Sequence, residues 1–144
     1  MTLVDHPTVT VRSNFRYQFT PKHHGQDPDA AQWLPGLTLD EEFEVFNTAD
    51  EHVLTDDRRW LYGIRRSGDT LQDLGTWSQQ VAAFPAARSG ELWHGYPIWA
   101  VNGLAPGNRR GEKMRPEKEV FLRMERAGLL TARQRKRLFK GDHV

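Results

Sequence analysis

The chain has 144 residues, about one domain's worth, with 38% hydrophobic and 27% charged residues. Five Trp and seven Phe supply the bulk for a core and argue against wholesale disorder, no apolar run approaches the roughly 18 residues of a membrane span, and the absence of Cys excludes disulfides, thiolate metal sites and cysteine nucleophiles. The net charge of +1 hides an asymmetry: residues 1–108 carry 8 Lys/Arg against 14 Asp/Glu, whereas residues 109–144 carry 12 against 5.

The first residues, Met1 to Pro7, lack the basic-then-apolar layout of a secretory leader, so a cytoplasmic protein is expected. Thr8–Val11 alternates, Ser13-Asn14 breaks the run, and Phe15, Tyr17 and Phe19 alternate with Arg16 and Gln18, which predicts a hairpin. Pro21, Gly25, Pro28, Pro35 and Gly36 mark a long loop with one helical turn near Ala30–Trp33. In that loop His23, His24, Asp27 and Asp29 read as solvated side chains, because adjacent histidines bind one metal only when further ligands converge.

Glu42–Phe46 reads as a strand with Phe43 and Val45 on one side, and Trp60, Tyr62 and Ile64 alternate in a second. Asp69 with Gln72 resembles a capping box. Leu71, Leu74, Trp77, Ser78, Val81 and Phe84 then share one arc, which predicts an amphipathic helix over 70–84, ended by Pro85. Leu92–Val101 reads as a strand, with His94, Tyr96 and Ile98 on one face and Trp93 and Trp99 on the other. Pro97 lacks a backbone donor and places that strand at an edge.

Residues 102–115 form a Gly/Pro/basic linker. A helical hairpin follows. Pro116 suits a helix start, Val120, Phe121, Met124 and Ala127 share a face, Glu119 can pair with Arg123, and Gly128 is a natural stop. Thr131 and Gln134 form a capping box for a second helix ending at Gly141. The segment from Ala127 to Leu138 resembles short C-terminal helical hairpins appended to many bacterial proteins, which implies an interaction or oligomerisation role. The expected fold is α+β: a small, mostly antiparallel sheet packed by one amphipathic helix over residues 1–108, with the basic linker and C-terminal helical hairpin of 109–144 on the same domain.

Charge is the leading functional signal. Arg133, Lys136, Arg137 and Lys140 fall within about 100° of helical arc, and Arg109, Arg110, Lys113 and Arg115 sit in the linker before them. A basic helix plus a basic arm predicts a nucleic-acid or other polyanion surface, held mainly through phosphates. An alternative is a small, toxin-like, metal-independent RNase. His94 and Tyr96 would project in parallel from one strand as its acid–base pair, with Arg65, Arg66 or the basic tail on the developing charge. A third reading is a protein–protein adaptor that uses its oppositely charged ends and an aromatic strand edge at Leu92–Trp99. No cofactor or metal is implied. The polyanion reading requires that the basic residues are not neutralised by the eight carboxylates of Asp40–Asp57.

Overall fold

The central strand of the protein is apolar on both sides, and the architecture follows from covering both. The computed structural model describes residues 9–11, 16–18, 31–87, 92–98 and 116–144. It holds strands β1 (Val9–Val11), β2 (Arg16–Gln18), β3 (Leu61–Gly63), β4 (Arg66–Ser67), β5 (Thr70–Leu71), β6 (Val81–Phe84) and β7 (Tyr96–Ile98), with helices α1 (Leu39–Glu51), α2 (Lys118–Arg126) and α3 (Ala132–Phe139). The principal sheet is antiparallel in the order β3-β6-β7, and β1-β2 and β4-β5 are two-stranded ribbons. The α+β class, the small antiparallel sheet and the C-terminal helical pair are as the sequence predicts.

All four residues of β6 are buried. Ala82 and Phe84 face a cluster that includes Phe43, Phe46 and Ala49 of α1. Val81 and Ala83 face the other cluster, with Val120, Phe121 and Met124 of α2 and Leu138 of α3. The sheet is thus a middle layer between α1 and the α2–α3 hairpin. Phe46 and Phe84 meet edge-on at 5.1 Å, and Tyr17 of β2 stacks on Phe46 at 4.9 Å, which ties the N-terminal ribbon to the α1 side. Gly63 of β3 lets α1 approach: a Cβ there would lie 2.5 Å from the carbonyl oxygen of Val45.

The helix that packs the sheet is not the predicted one. Residues 42–46 lie inside α1 rather than in a strand. The helix starts at a capping box the short alternation concealed: Thr38 Oγ1 accepts from the Glu41 amide at 3.1 Å, and Glu41 Oε1 accepts from the Thr38 amide at 2.9 Å. The Thr38 amide, more than any other group, also holds the Glu41 carboxyl below the usual range. The buried residues of α1 include Phe43, Val45, Phe46 and Ala49, with the spacings of a helical face.

Conversely, the expected helix over 70–84 is β5, a tight turn and β6. Asp69 follows Gly68, whose φ of 61° turns the β4–β5 hairpin, so it caps no helix. A strand covered on both faces shows a continuous apolar run, and that run mimicked a helical arc. Trp77, assigned to the buried arc, is 51% exposed. Trp33 forms a bridge with Gly75, and residues 31–33 form no helical turn. In the strand expected over 92–101, only Tyr96–Ile98 is extended within the described residues, and it lies at a sheet edge, where Pro97 is tolerated.

The three helices among the described residues end alike. In α2 and α3 the residue after the C-cap is Gly128 (φ 77°) or Gly141 (φ 89°). The next amide reaches back to Met124 at 2.9 Å or Arg137 at 3.1 Å, completing Schellman turns. In α1 the same turn is made by Val53 (φ 52°), with the Leu54 amide on the Ala49 carbonyl at 2.9 Å. A β-branched residue in the left-handed region is strained by roughly 1–2 kcal/mol. Val53 is 54% exposed, so its side chain returns little burial. Val53→Asn is therefore expected to raise stability by about 1 kcal/mol, seen as a higher urea midpoint with an unchanged slope; an unchanged or lower midpoint would show that the turn carries no strain.

Candidate functional site

Helix α3 carries the surface that the charge pattern singles out. Thr131 Oγ1 accepts from the Gln134 amide and Gln134 Oε1 from the Thr131 amide, both at 3.0 Å, so the predicted capping box forms. Leu138 points inward and is 2% exposed, and Phe139 meets Phe121 of α2 edge-on at 5.8 Å. Arg135, on the packed side, pairs with Glu125 of α2. The opposite side presents Arg133, Lys136, Arg137 and Lys140, all exposed. The guanidinium of Arg137 lies 3.9 Å from Asp142 and donates to the His143 carbonyl at 3.2 Å. Among the described residues, Arg133, Lys136 and Lys140 have no ion-pair partner. Arg109, Arg110, Lys113 and Arg115 lie outside the described residues, as do His23, His24, Asp27, Asp29 and Trp99.

The hairpin is tied to the core by polar contacts that no local pattern announces. Gln134 Nε2 donates to the Asp69 carbonyl at 3.1 Å, and Arg66 Nη1 donates to the Gly128 carbonyl at 2.7 Å. His143 Nε2 lies 2.6 Å from Asp73 Oδ1. Gln80 is 1% exposed and precedes β6. Its amide donates to the Val144 carbonyl at 2.7 Å and accepts from the Val144 amide at 3.0 Å, as a neighbouring strand would.

Within the acidic segment Asp40–Asp57, Glu41, Glu42 and Asp56 are engaged away from α3. Glu41 pairs with Arg65 at 2.6 Å, and Glu42 accepts from the Tyr17 hydroxyl at 2.7 Å. Asp56 is a hub with a side chain 1% exposed: it accepts from Tyr62 Oη at 2.7 Å, from Arg58 Nε and Nη2 at 3.1 Å, and from two backbone amides. Arg58 in turn lies 4.0 Å over the Trp60 ring. Arg123 of α2 reaches the acidic segment, but at the backbone carbonyl of Val53, 3.1 Å away. The ion pairs of α3 among the described residues stay within the hairpin and its end, with Glu125 and Asp142.

His94 and Tyr96 do not share a strand. His94 is exposed and precedes β7, whereas Tyr96 begins it and is partly buried against the α2–α3 side of the sheet. Burial raises the Tyr96 phenol above its ordinary value, partly offset by the charge of Arg58. Arg65 and Arg66 line a cavity of about 280 Å³ with Glu44, Thr48 and Leu129, and each already meets a carboxylate: Glu41 for Arg65, and Asp69 at 3.6 Å for Arg66. The aromatic edge expected at Leu92–Trp99 is largely withdrawn from solvent in its described part, with Trp93 6% exposed and bridged to Tyr17.

No protein-family model matches this chain, and neither the curated proteins nor the solved structures contain a match.

The sequence reading missed Trp77, which stands at the tip of the turn before β6. Its clue was Gly75-Thr76-Trp77-Ser78, a glycine followed by small polar residues that favour a turn over a helix interior.

All three tyrosines, Tyr17, Tyr62 and Tyr96, have phenols raised above the ordinary value, chiefly by burial. The folded chain therefore keeps phenolic protons that the unfolded chain sheds above about pH 10, so this part of the stability is complete below pH 10 and falls as pH rises beyond it. Tyrosinate absorbance is expected to lag behind that of free tyrosine on alkaline titration and to appear together with unfolding; ordinary titration near pH 10 with the fold intact would contradict the burial of these rings.

Proposed function

We propose that the protein binds nucleic acid through the exposed basic face of α3. The observation that carries this reading is that Arg133, Lys136 and Lys140 stand exposed and, among the described residues, without carboxylate partners on a helix whose other side is fixed to the core. Cations arranged in this way exchange the counterions of a phosphate backbone for direct contacts. The face offers Arg and Lys and no Asn or Gln aimed at base edges, so the contacts are to phosphate and the binding depends strongly on salt and weakly on sequence.

The test is a salt titration of binding to an oligonucleotide, with heparin as a second polyanion. Replacing Arg133, Lys136 and Lys140 together by Ala is expected to reduce the slope of log affinity against log salt by about 2–3, at roughly 0.7–0.9 for each phosphate no longer neutralised. The exposed positions should leave the far-ultraviolet circular dichroism unchanged. No retention of the wild-type protein on heparin or oligonucleotide at low salt would end this reading, as would a triple variant with the parent's salt slope.

RNA cleavage is a second reading, favoured by the solvent access of His94. It expects RNA to be cut without added metal and His94→Ala to abolish the cutting while the thermal transition stays in place. RNA that remains intact under conditions where it binds would leave binding alone.

A further inference from the structure

We propose that the nucleic acid bound at α3 is single-stranded and that Trp77 supplies the platform on which one of its bases stacks. The proposal rests on the binding reading above and names its substrate class.

Trp77 is 51% exposed, the exception among the aromatic residues whose burial is described. It does not stand on a loose loop. Leu74 and Gly75 donate to the Gln79 carbonyl at 2.6 and 3.2 Å, and Ser78 donates to the Gly75 carbonyl at 3.1 Å. The Trp77 amide itself donates to Oε1 of Gln79, a side chain that is fully buried, at 2.8 Å. Thr76 is fastened from outside by the Gln32 carbonyl at 3.1 Å. Gly75 has no room for a side chain, since a Cβ there would lie 2.1 Å from Gln79 Oε1. Ser78 takes a left-handed φ of 62°, a strained conformation for a non-glycine residue. Strain and a buried amide together hold out a large apolar ring that the nearby core does not enclose.

The turn is joined to the basic helix. Leu74 and Gln79 close its base, and the residues just beyond them, Asp73 and Gln80, are the two that grip the tail of α3 through His143 and Val144. Arg137 of the basic face donates to the carbonyl of that same His143. Trp77 is three residues from Gln80, so the two Cα atoms lie within about 11 Å. Indole and cations are therefore mounted on one scaffold, as in single-strand surfaces that combine stacking aromatics with a positively charged groove. A duplex could use the cations alone, because its bases are stacked on each other. An unpaired strand could use both, since every base offers a face to an exposed indole.

The experiment compares binding of a labelled oligothymidylate of about 12 nucleotides, a duplex of equal length, and heparin, at one salt concentration. Wild type is expected to prefer the single strand over the duplex. Trp77→Ala is expected to lower single-strand affinity at least about fivefold, the lower end of what one base–aromatic stack is worth. It should leave heparin elution unmoved, and Trp77→Phe should recover part of the loss. Unchanged single-strand affinity in Trp77→Ala, or a wild-type duplex affinity equal to that for the single strand, overturns the proposal while leaving the basic face intact. Failure of wild type to bind any of the three probes removes the binding reading itself, and this proposal with it.

Discussion

The structure depends on the double burial of β6. Four residues in the middle of a three-stranded sheet have no exposed side, so two separate apolar layers must be supplied, one by α1 and one by the helical hairpin. In a chain of this size that requirement takes up most of the large side chains. Alternate residues of one short strand divide the core in two: Ala82 and Phe84 look toward the cluster with Phe43 and Phe46, Val81 and Ala83 toward the one with Tyr62 and Phe121. Removing either helical layer would expose half of the strand to water. The basic hairpin is therefore a wall of the core as well as a charged surface.

Legibility in the sequence followed the range of the interactions. The α2–α3 hairpin was readable because its signals are local. Thr131 and Gln134 cap each other, Gly128 and Gly141 supply the left-handed turns, and Val120, Phe121 and Met124 repeat at helical spacing. Helix α1 obeys the same rules, but Thr38 and Glu41 were overlooked as a capping pair. Its stop uses Val53 where glycine is usual, so no residue type announced the end. The apparent helix over 70–84 failed for the opposite reason. A strand with neighbours on both faces loses the alternation that identifies strands, and chance spacing of its apolar residues with Leu71 and Leu74 filled the helical template.

The candidate site divides in the same way. The disposition of Arg133, Lys136, Arg137 and Lys140 on one face could be drawn from the helical pitch alone, and the burial of Leu138 opposite them followed from it. Whether the acidic segment neutralises those cations could not, because it depends on which partners folding brings to Glu41, Glu42 and Asp56. The pairing of His94 with Tyr96 assumed an extended backbone through both residues, and the strand begins only at the second. Gln80 and Asp73 carry no motif: their contacts exist only once residues about 64 to 70 positions apart have met.

The clamp of Gln80 on the backbone of Val144 has a consequence for recognition. A side-chain amide that satisfies both the backbone N–H and the backbone oxygen of Val144 fixes that residue beside the most enclosed strand. The helix next to it is tied to the core at both ends, through Gln134 on Asp69 and Val144 on Gln80. The cations of α3 stand on a backbone already set, so in the proposed association little main-chain entropy remains to be lost, and the ordering cost falls on the long side chains themselves. Such a fixed backbone gives up the adaptability that a tethered tail would offer.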